Sequence, residues 1–447
     1  MYHLLWVNHK LDYGVTPSPQ TMKTSEDHAL IADQDDELSH FRDEFYIPRG
    51  KVYLDGNSLG LLSKKGEEWL DSLKDEWKEL AIEGWTGGEI PWFFLAETLG
   101  ERMATLVGAK PKEVIATGTT TVNIHSLVST LYEPKEGRDK ILADELNFPS
   151  DIYALEGILE LKGYDPNDKL LMVPSDDGHT LDEDRIVDMM EEDVCIAHLP
   201  SVLYRSGQLL DMEYLTKEAH KRDIIIGFDC SHSAGVIPHD LHGWGVDYAM
   251  WCGYKYLNGG PGCSAFLYIH EDHFQEEPKL KGWFGYQKDK QFELSLDFIH
   301  EESAGGWQIS SPSILGSGAL IGSLEIIDEA GLVEMRRKSM KMTDYFIDLV
   351  ECLMDGPSYG IEIVTPKDAQ RRSSHVALTH EYAGAISSLL RERGFIPDYR
   401  PPNIIRIAFS PLYNTYHDAW RTAMAVKDII ECEKHLDYEN EGERLVT

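Results

Sequence analysis

The chain has 447 residues, 42% of them hydrophobic, with 77 acidic against 42 basic side chains and a formal net charge of −35. Such a length holds a sizeable core split among two or three domains, and no apolar run approaches the roughly 20 residues that a membrane-spanning helix needs. So acidic a chain argues against nucleic acid or an anionic membrane surface as a partner, because like charges repel at long range.

Residues 1–50 are polar and acidic, with Asp33, Asp35, Asp36 and Glu37 clustered, and the first twenty are expected to carry little structure. The start lacks the apolar stretch and small-residue cleavage site of a signal peptide, so a cytoplasmic location is expected. After the strand-like Lys51 to Asp55, apolar Trp69, Leu70, Leu73, Trp77 and Leu80 recur at helical spacing and predict an amphipathic helix from about Gly66 to Leu80.

Between residues 110 and 270, short apolar runs alternate with helical stretches. Val114 to Ala116, Lys140 to Leu142, Val194 to Leu199, Ile224 to Phe228, Asp247 to Trp251 and Ser264 to Ile269 read as strands buried on both faces. The alternation predicts an α/β fold, a mostly parallel sheet wrapped by helices, with ligands gathered beyond the carboxyl ends of the strands. A long helix over Leu324 to Val350, a strand over Ile404 to Phe409 and a helix over Trp420 to Glu433 then predict a smaller α+β C-terminal domain. The expected division is an N-terminal segment 1–60, a large domain 61–322 and a small domain 323–447. Six scattered cysteines without Cys-x-x-Cys spacing suggest neither a disulfide framework nor a zinc site, and no metal is expected.

The chemistry concentrates at two strand ends. The run Ile224-Ile-Ile-Gly-Phe-Asp-Cys-Ser-His delivers Asp229 and then His232, and the strand ending at Trp251 delivers Cys252-Gly-Tyr-Lys-Tyr-Leu-Asn-Gly-Gly-Pro-Gly262. A lysine following a buried strand is partly desolvated, and Lys255 offers a nucleophilic amine that can condense with an aldehyde. Pyridoxal 5′-phosphate supplies such an aldehyde. A carboxylate such as Asp229 would keep its pyridine nitrogen protonated, and His232 could stack on its ring. Taken singly, Asp229 could be a plain helix cap and Lys255 a solvated loop lysine; their pairing with a glycine-rich turn favours the cofactor reading. Ala116-Thr-Gly-Thr-Thr-Thr-Val-Asn123 runs from a strand into a helix and offers phosphate donors, Thr120 and Thr121 first, although threonines before a helix are also ordinary caps.

Together with Tyr53-Leu-Asp-Gly-Asn-Ser-Leu-Gly60, Asn147-Phe-Pro-Ser-Asp151, Gly282-Trp-Phe-Gly285, and Arg406 followed by Pro411-Leu-Tyr-Asn414, these residues resemble the kynureninase family over about residues 45–430. The resemblance implies a fold-type-I pyridoxal-phosphate enzyme, a homodimer with active sites near the subunit interface, that splits L-kynurenine into anthranilate and alanine in tryptophan degradation. It implies that Lys255 holds the cofactor as an imine, with Asp229 on the pyridinium and His232 on the ring face. Phe148 would stack opposite, with Ser150 and Asp151 nearby, and Thr120, Thr121, Tyr254, Trp283 and Ser311 would line the cofactor. Tyr254 would also relay a proton, while Asn57, Ser58, Trp85 and Arg406 would meet the substrate. The family's animal enzymes carry His and Asn at the positions of Trp85 and Ser311, which implies a preference for kynurenine over 3-hydroxykynurenine. Two alternatives stay open: a relative of cysteine desulfurases or selenocysteine lyases, with Cys352 as the available acceptor thiol, and a cofactor-binding protein without catalysis.

Overall fold

The computed structural model describes residues 24–436, so the expectation for the first twenty lies outside them. After a short strand β1 (Val52–Tyr53), the described residues form a seven-stranded sheet. Its members are β2 (Val114–Ala116), β3 (Lys140–Asp144), β4 (Leu170–Val173), β5 (Val194–Pro200), β6 (Ile225–Asp229), β7 (Tyr248–Trp251) and β8 (Phe266–Ile269), in the spatial order β2-β8-β7-β6-β5-β3-β4. Six of them point the same way; β8 alone is reversed, antiparallel to both neighbours, β2 and β7. The reversal has a local cause, since the β7 to β8 connection carries no helix and a parallel return usually needs one. The expected strands are all present, and β4 is an addition.

Alternation along the strands feeds two apolar layers. Ala249 and Trp251 of β7 join one cluster with Phe228 and Leu199, while Tyr248 and Met250 join another with Ile141 and Ile196. Burial on both faces explains why these runs read as continuously apolar. The predicted amphipathic helix spans Lys64–Leu80, begins where the Ser63 hydroxyl accepts from the Gly66 N–H at 3.0 Å, and packs on the helix Gly318–Ala330. That approach is close: a Cβ at Gly322 would fall 2.4 Å from the Lys65 backbone.

The single helix expected over Leu324 to Val350 is two, Gly318–Ala330 and Leu332–Leu353. Gly331, at φ +74°, breaks the run with a left-handed backbone that helical periodicity does not reveal. Beyond it, β9 (Glu362–Ile363), β10 (His375–Thr379), β12 (Asp398–Arg400) and β13 (Ile404–Ala408) form an antiparallel sheet in the order β12-β13-β10-β9. The strand β11 (Phe395–Ile396) instead pairs in parallel with β1. The helix Glu26–Gln34 lies on the helix Tyr416–Glu431, whose first N–H groups, those of Tyr416 and His417, donate to Asp33 at 2.6 and 3.1 Å. Part of the N-terminal acidic cluster is therefore a helix cap. Among the described residues, no helix is long and apolar enough to cross a membrane.

Candidate active site

β6 and β7 are parallel neighbours, so Asp229 at the end of one and the loop after the other open on the same edge of the sheet. Lys255 Nζ lies 3.0 Å from His232 Nε2 and 6.0 Å from the centre of the Phe148 ring. Burial, with Lys255, Arg406 and His375 adding to it, holds His232 well below the ordinary imidazole range, so the ring is neutral. Burial likewise lifts the Asp229 carboxyl above the usual carboxylate range; Asp151 raises it further and Lys255 opposes. A cationic ring nitrogen against Asp229 would reverse that shift, because opposite charge favours the ionised form.

Asp151 is buried and meets His198 Nε2 at 3.4 Å, and His198 Nδ1 lies 3.2 Å from the Tyr248 hydroxyl. Sequence reasoning passed over His198 and Tyr248. Their signal was a polar side chain inside a strand buried along its whole length, which must find a partner.

Beside this cluster, a cavity of about 440 Å³ is lined by Thr119, Thr120, Thr121, Tyr254 and Ser311. The helix Thr120–Leu131 starts there. Thr119 makes no side-chain cap, and Thr121 Oγ1 lies 2.6 Å from Ser150 Oγ. The threonines are therefore not spent on ordinary capping, and the first-turn N–H groups with several hydroxyls make a ready anion site. Gly118 enters the turn at φ +56°, where a Cβ would stand 2.6 Å from Asn123 Oδ1.

The Asp55-Gly-Asn-Ser-Leu-Gly60 motif packs onto the lysine loop itself. Gly60 N–H donates to the Tyr254 carbonyl at 2.7 Å, and a Cβ on Gly60 would sit 2.4 Å from the Lys255 carbonyl oxygen. Asn57 is fully buried with both amide atoms lacking a protein partner, and Ser58 Oγ accepts from Arg406 Nη2 at 3.1 Å. Tyr254 has its phenol raised by neighbouring Cys252 and by burial, so it stays protonated.

Trp85 and Trp283 stand in a separate aromatic row. Trp85 lies 6.0 Å from Trp92 and 6.1 Å from Phe284, and Trp283 lies 5.9 Å from Phe284. Trp85 lines a second cavity, of about 450 Å³, with Trp77, Ile82 and Leu315, and residues 311–315 border both cavities.

An amine, a carboxylate at the end of the neighbouring strand, a neutral imidazole with a buried unpartnered Nδ1 and an anion-ready helix start suit the aldehyde, ring and phosphate of pyridoxal phosphate. Solved structures with this fold include the apo cysteine desulfurase of Thermococcus onnurineus, with TM-score 0.74 and 18% identity over 88% of this chain and 98% of that one. Another is a lysine-to-alanine mutant of C-DES with glycine covalently linked to its PLP cofactor, with TM-score 0.75 and 16% identity over 87% and 99%. At such identity they speak for the fold alone, which is that of the fold-type-I pyridoxal-phosphate enzymes. Relatives in sequence are much nearer: the kynureninase of Geobacillus thermodenitrificans is 53% identical over 92% of this chain and 96% of its own length, and that of Bacillus anthracis is 50% identical over 93% and 97%. Residues 335–426 match the family described as the kynureninase C-terminal domain. The chain belongs to the kynureninase family. That membership sets aside the desulfurase reading, whose acceptor Cys352 lies exposed on the helix Leu332–Leu353.

Proposed function

We infer that the chain hydrolyses L-kynurenine to anthranilate and L-alanine with pyridoxal 5′-phosphate as its cofactor. One observation carries this reading: the Lys255 amine, 3.0 Å from a neutral His232 and beside Phe148, in a chain about half identical to kynureninases. When bound, the cofactor supplies an aldehyde for amines and a cationic ring that draws electrons from the substrate. Lys255 would anchor it through its amine, and the same amine, as a neutral base, would take the proton from the substrate's Cα. Asp229 would keep the ring nitrogen protonated, and His232 and Phe148 would flank the ring. Thr120, Thr121, Tyr254 and Ser311 would surround the phosphate, joined by Trp283 of a second copy of the chain; Ser150 steadies Thr121, and Asp151 borders Asp229. Arg406, with Asn57 and Ser58, takes the α-carboxylate. The protonated Tyr254 phenol passes a proton at the γ-carbonyl oxygen as water adds to the γ-carbon; the Cβ to Cγ bond then breaks with its electron pair on Cβ, which takes a proton to become the methyl of alanine, while the γ-carbon leaves as the carboxyl of anthranilate.

Trp85, among Trp92 and Phe284, offers a ring hydroxyl little polar company. A buried hydroxyl without a partner costs about 1–3 kcal/mol, which supports a preference for kynurenine over 3-hydroxykynurenine. The reading also carries a homodimer in the cytoplasm serving tryptophan degradation, and a division into three parts near residues 60 and 322; separate apolar clusters around the two sheets support two domain cores, with the first running on to Met335 and the second taking in Val52 and Leu54. The test is to add kynurenine to the purified, cofactor-loaded protein. Fluorescent anthranilate and alanine should appear in equal amounts, with a higher kcat/KM than for the 3-hydroxylated substrate. Absence of anthranilate overturns the activity, and the opposite preference overturns the specificity alone.

A further inference from the structure

We propose that Asp398 is a positioning residue for the substrate's α-carboxylate, acting through Arg406. The proposal rests on the reading of Arg406 as the carboxylate clamp. β12 and β13 are antiparallel with Asp398 directly across from Arg406, the register at which side chains on one face of a sheet meet. Both are 1% exposed. Asp398 Oδ2 takes Nε and Nη2 of Arg406 and also accepts from Arg400 Nε at 2.9 Å.

A guanidinium has five N–H donors in a rigid planar fork, so fixing one edge fixes the others. Asp398 occupies the edge formed by Nε and Nη2. Nη1 donates to the Tyr204 carbonyl at 2.7 Å, and the second Nη2 proton goes to Ser58 Oγ at 3.1 Å. What these partners leave for a ligand is the second Nη1 proton, with the Ser58 hydroxyl, which accepts from Nη2 and keeps its own proton to give, beside it. One oxygen of a planar carboxylate can take that Nη1 proton and the other the Ser58 hydroxyl. Tyr204 in turn packs edge-on against Phe148, rings 5.2 Å apart at 90°, and Phe148 stands beside Lys255. The orientation of the fork is thereby referred to the reacting amine rather than to the small sheet alone.

A buried ion pair adds little net stability compared with apolar packing, and here Asp398 Oδ1 is buried without a partner, a further cost. Orientation is the return that such an arrangement gives. Asparagine at 398 keeps the shape and loses the charge, freeing the guanidinium to turn about its terminal bonds.

The experiment compares Asp398→Asn with the parent, both loaded with pyridoxal phosphate, toward two ligands. One is L-kynurenine; the other is kynuramine, the same aryl ketone amine without the α-carboxylate. Binding is followed by the change in the cofactor's visible absorbance, and KM and kcat are measured for kynurenine. Affinity for kynurenine should fall about tenfold or more, with KM rising by a larger factor than kcat falls, while kynuramine binding changes by less than about twofold. Equal weakening of both ligands, as a merely structural defect gives, or an unchanged KM, overturns the proposal. Arg406→Ala separates the two readings: if it too leaves kynurenine binding intact, the clamp itself is wrong, and if it weakens binding while Asp398→Asn does not, only the role of Asp398 falls. Should Asp398→Asn fail to fold, Asp398→Glu, with its charge displaced by one methylene, is judged by the same ratio of the two ligands.

Discussion

Tyr254 and Lys255 are neighbours in the chain yet address different spaces. The lysine amine meets His232 and Phe148, while the phenol lines the cavity of Thr120 and Ser311. Their substitutions should therefore fail differently. Lys255→Ala should abolish turnover together with the visible absorbance of the anchored cofactor. Tyr254→Phe should keep that absorbance and lose about 10²- to 10⁴-fold in kcat, the usual worth of a placed proton donor. A phenylalanine variant at full speed would remove Tyr254 from the chemistry. The residues legible in the sequence are those that local pattern alone can mark: Asp229, His232 and Lys255 follow apolar strands directly. Asp398 and Tyr204 were illegible for a physical reason. Their importance comes from a cross-strand register and a backbone carbonyl, neither of which leaves a local trace.

At the scale of elements, the sheet that places the lysine is pinned at its other edge by Asp247, just before β7. Its carboxylate accepts from His220 at 2.9 Å, His273 at 2.8 Å and the Ile226 N–H at 2.8 Å, joining the helix Met212–His220, β6 and the segment after β8. Burial alone would raise Asp247, but the hydrogen bonds from His220 and His273 overcome it and hold the carboxyl below its ordinary range. The hydrogen bond to Asp247 raises His220 above 6.5, with burial opposing. A histidine whose folded value is raised contributes stability in full below about 6.5, and loses that contribution as pH climbs through the raised value. The melting-temperature gap between the parent and His220→Gln should thus be widest near about pH 6 and narrow toward about pH 8. A gap that stays constant or widens with pH would show that the ion pair is not the tie. Element identity was readable where apolar periodicity is strong, as in β5 and the helix Lys64–Leu80. It failed where a single backbone angle decides, at Gly331, and where strands are short or half-buried, as in β4.

For the whole molecule, the unanswered feature is surface. Phe292, Leu294 and Leu296 are 71%, 72% and 103% exposed, and Phe292 continues inward to Trp283 at 5.7 Å and Phe93 at 5.9 Å. A chain of net charge −35 has ample charge for its surface, yet here it gathers apolar groups into one patch, the mark of a face meant to be covered. Trp283 belongs to that patch and does not line the cavity of its own chain that holds Thr120 and Tyr254. The proposed homodimer would answer both points, since a second copy would cover the patch and bring its Trp283 to the cleft of Thr120 and Tyr254. The variant carrying Phe292→Asp and Leu296→Asp should run at half the parent's mass in light scattering. It should also bind pyridoxal phosphate more weakly, measured by cofactor retention on dialysis, although neither substituted residue lines that cleft. A double variant that keeps the parent's mass would place the subunit contact on another face, and a parent that is itself a monomer would leave Trp283 without a route to the cofactor.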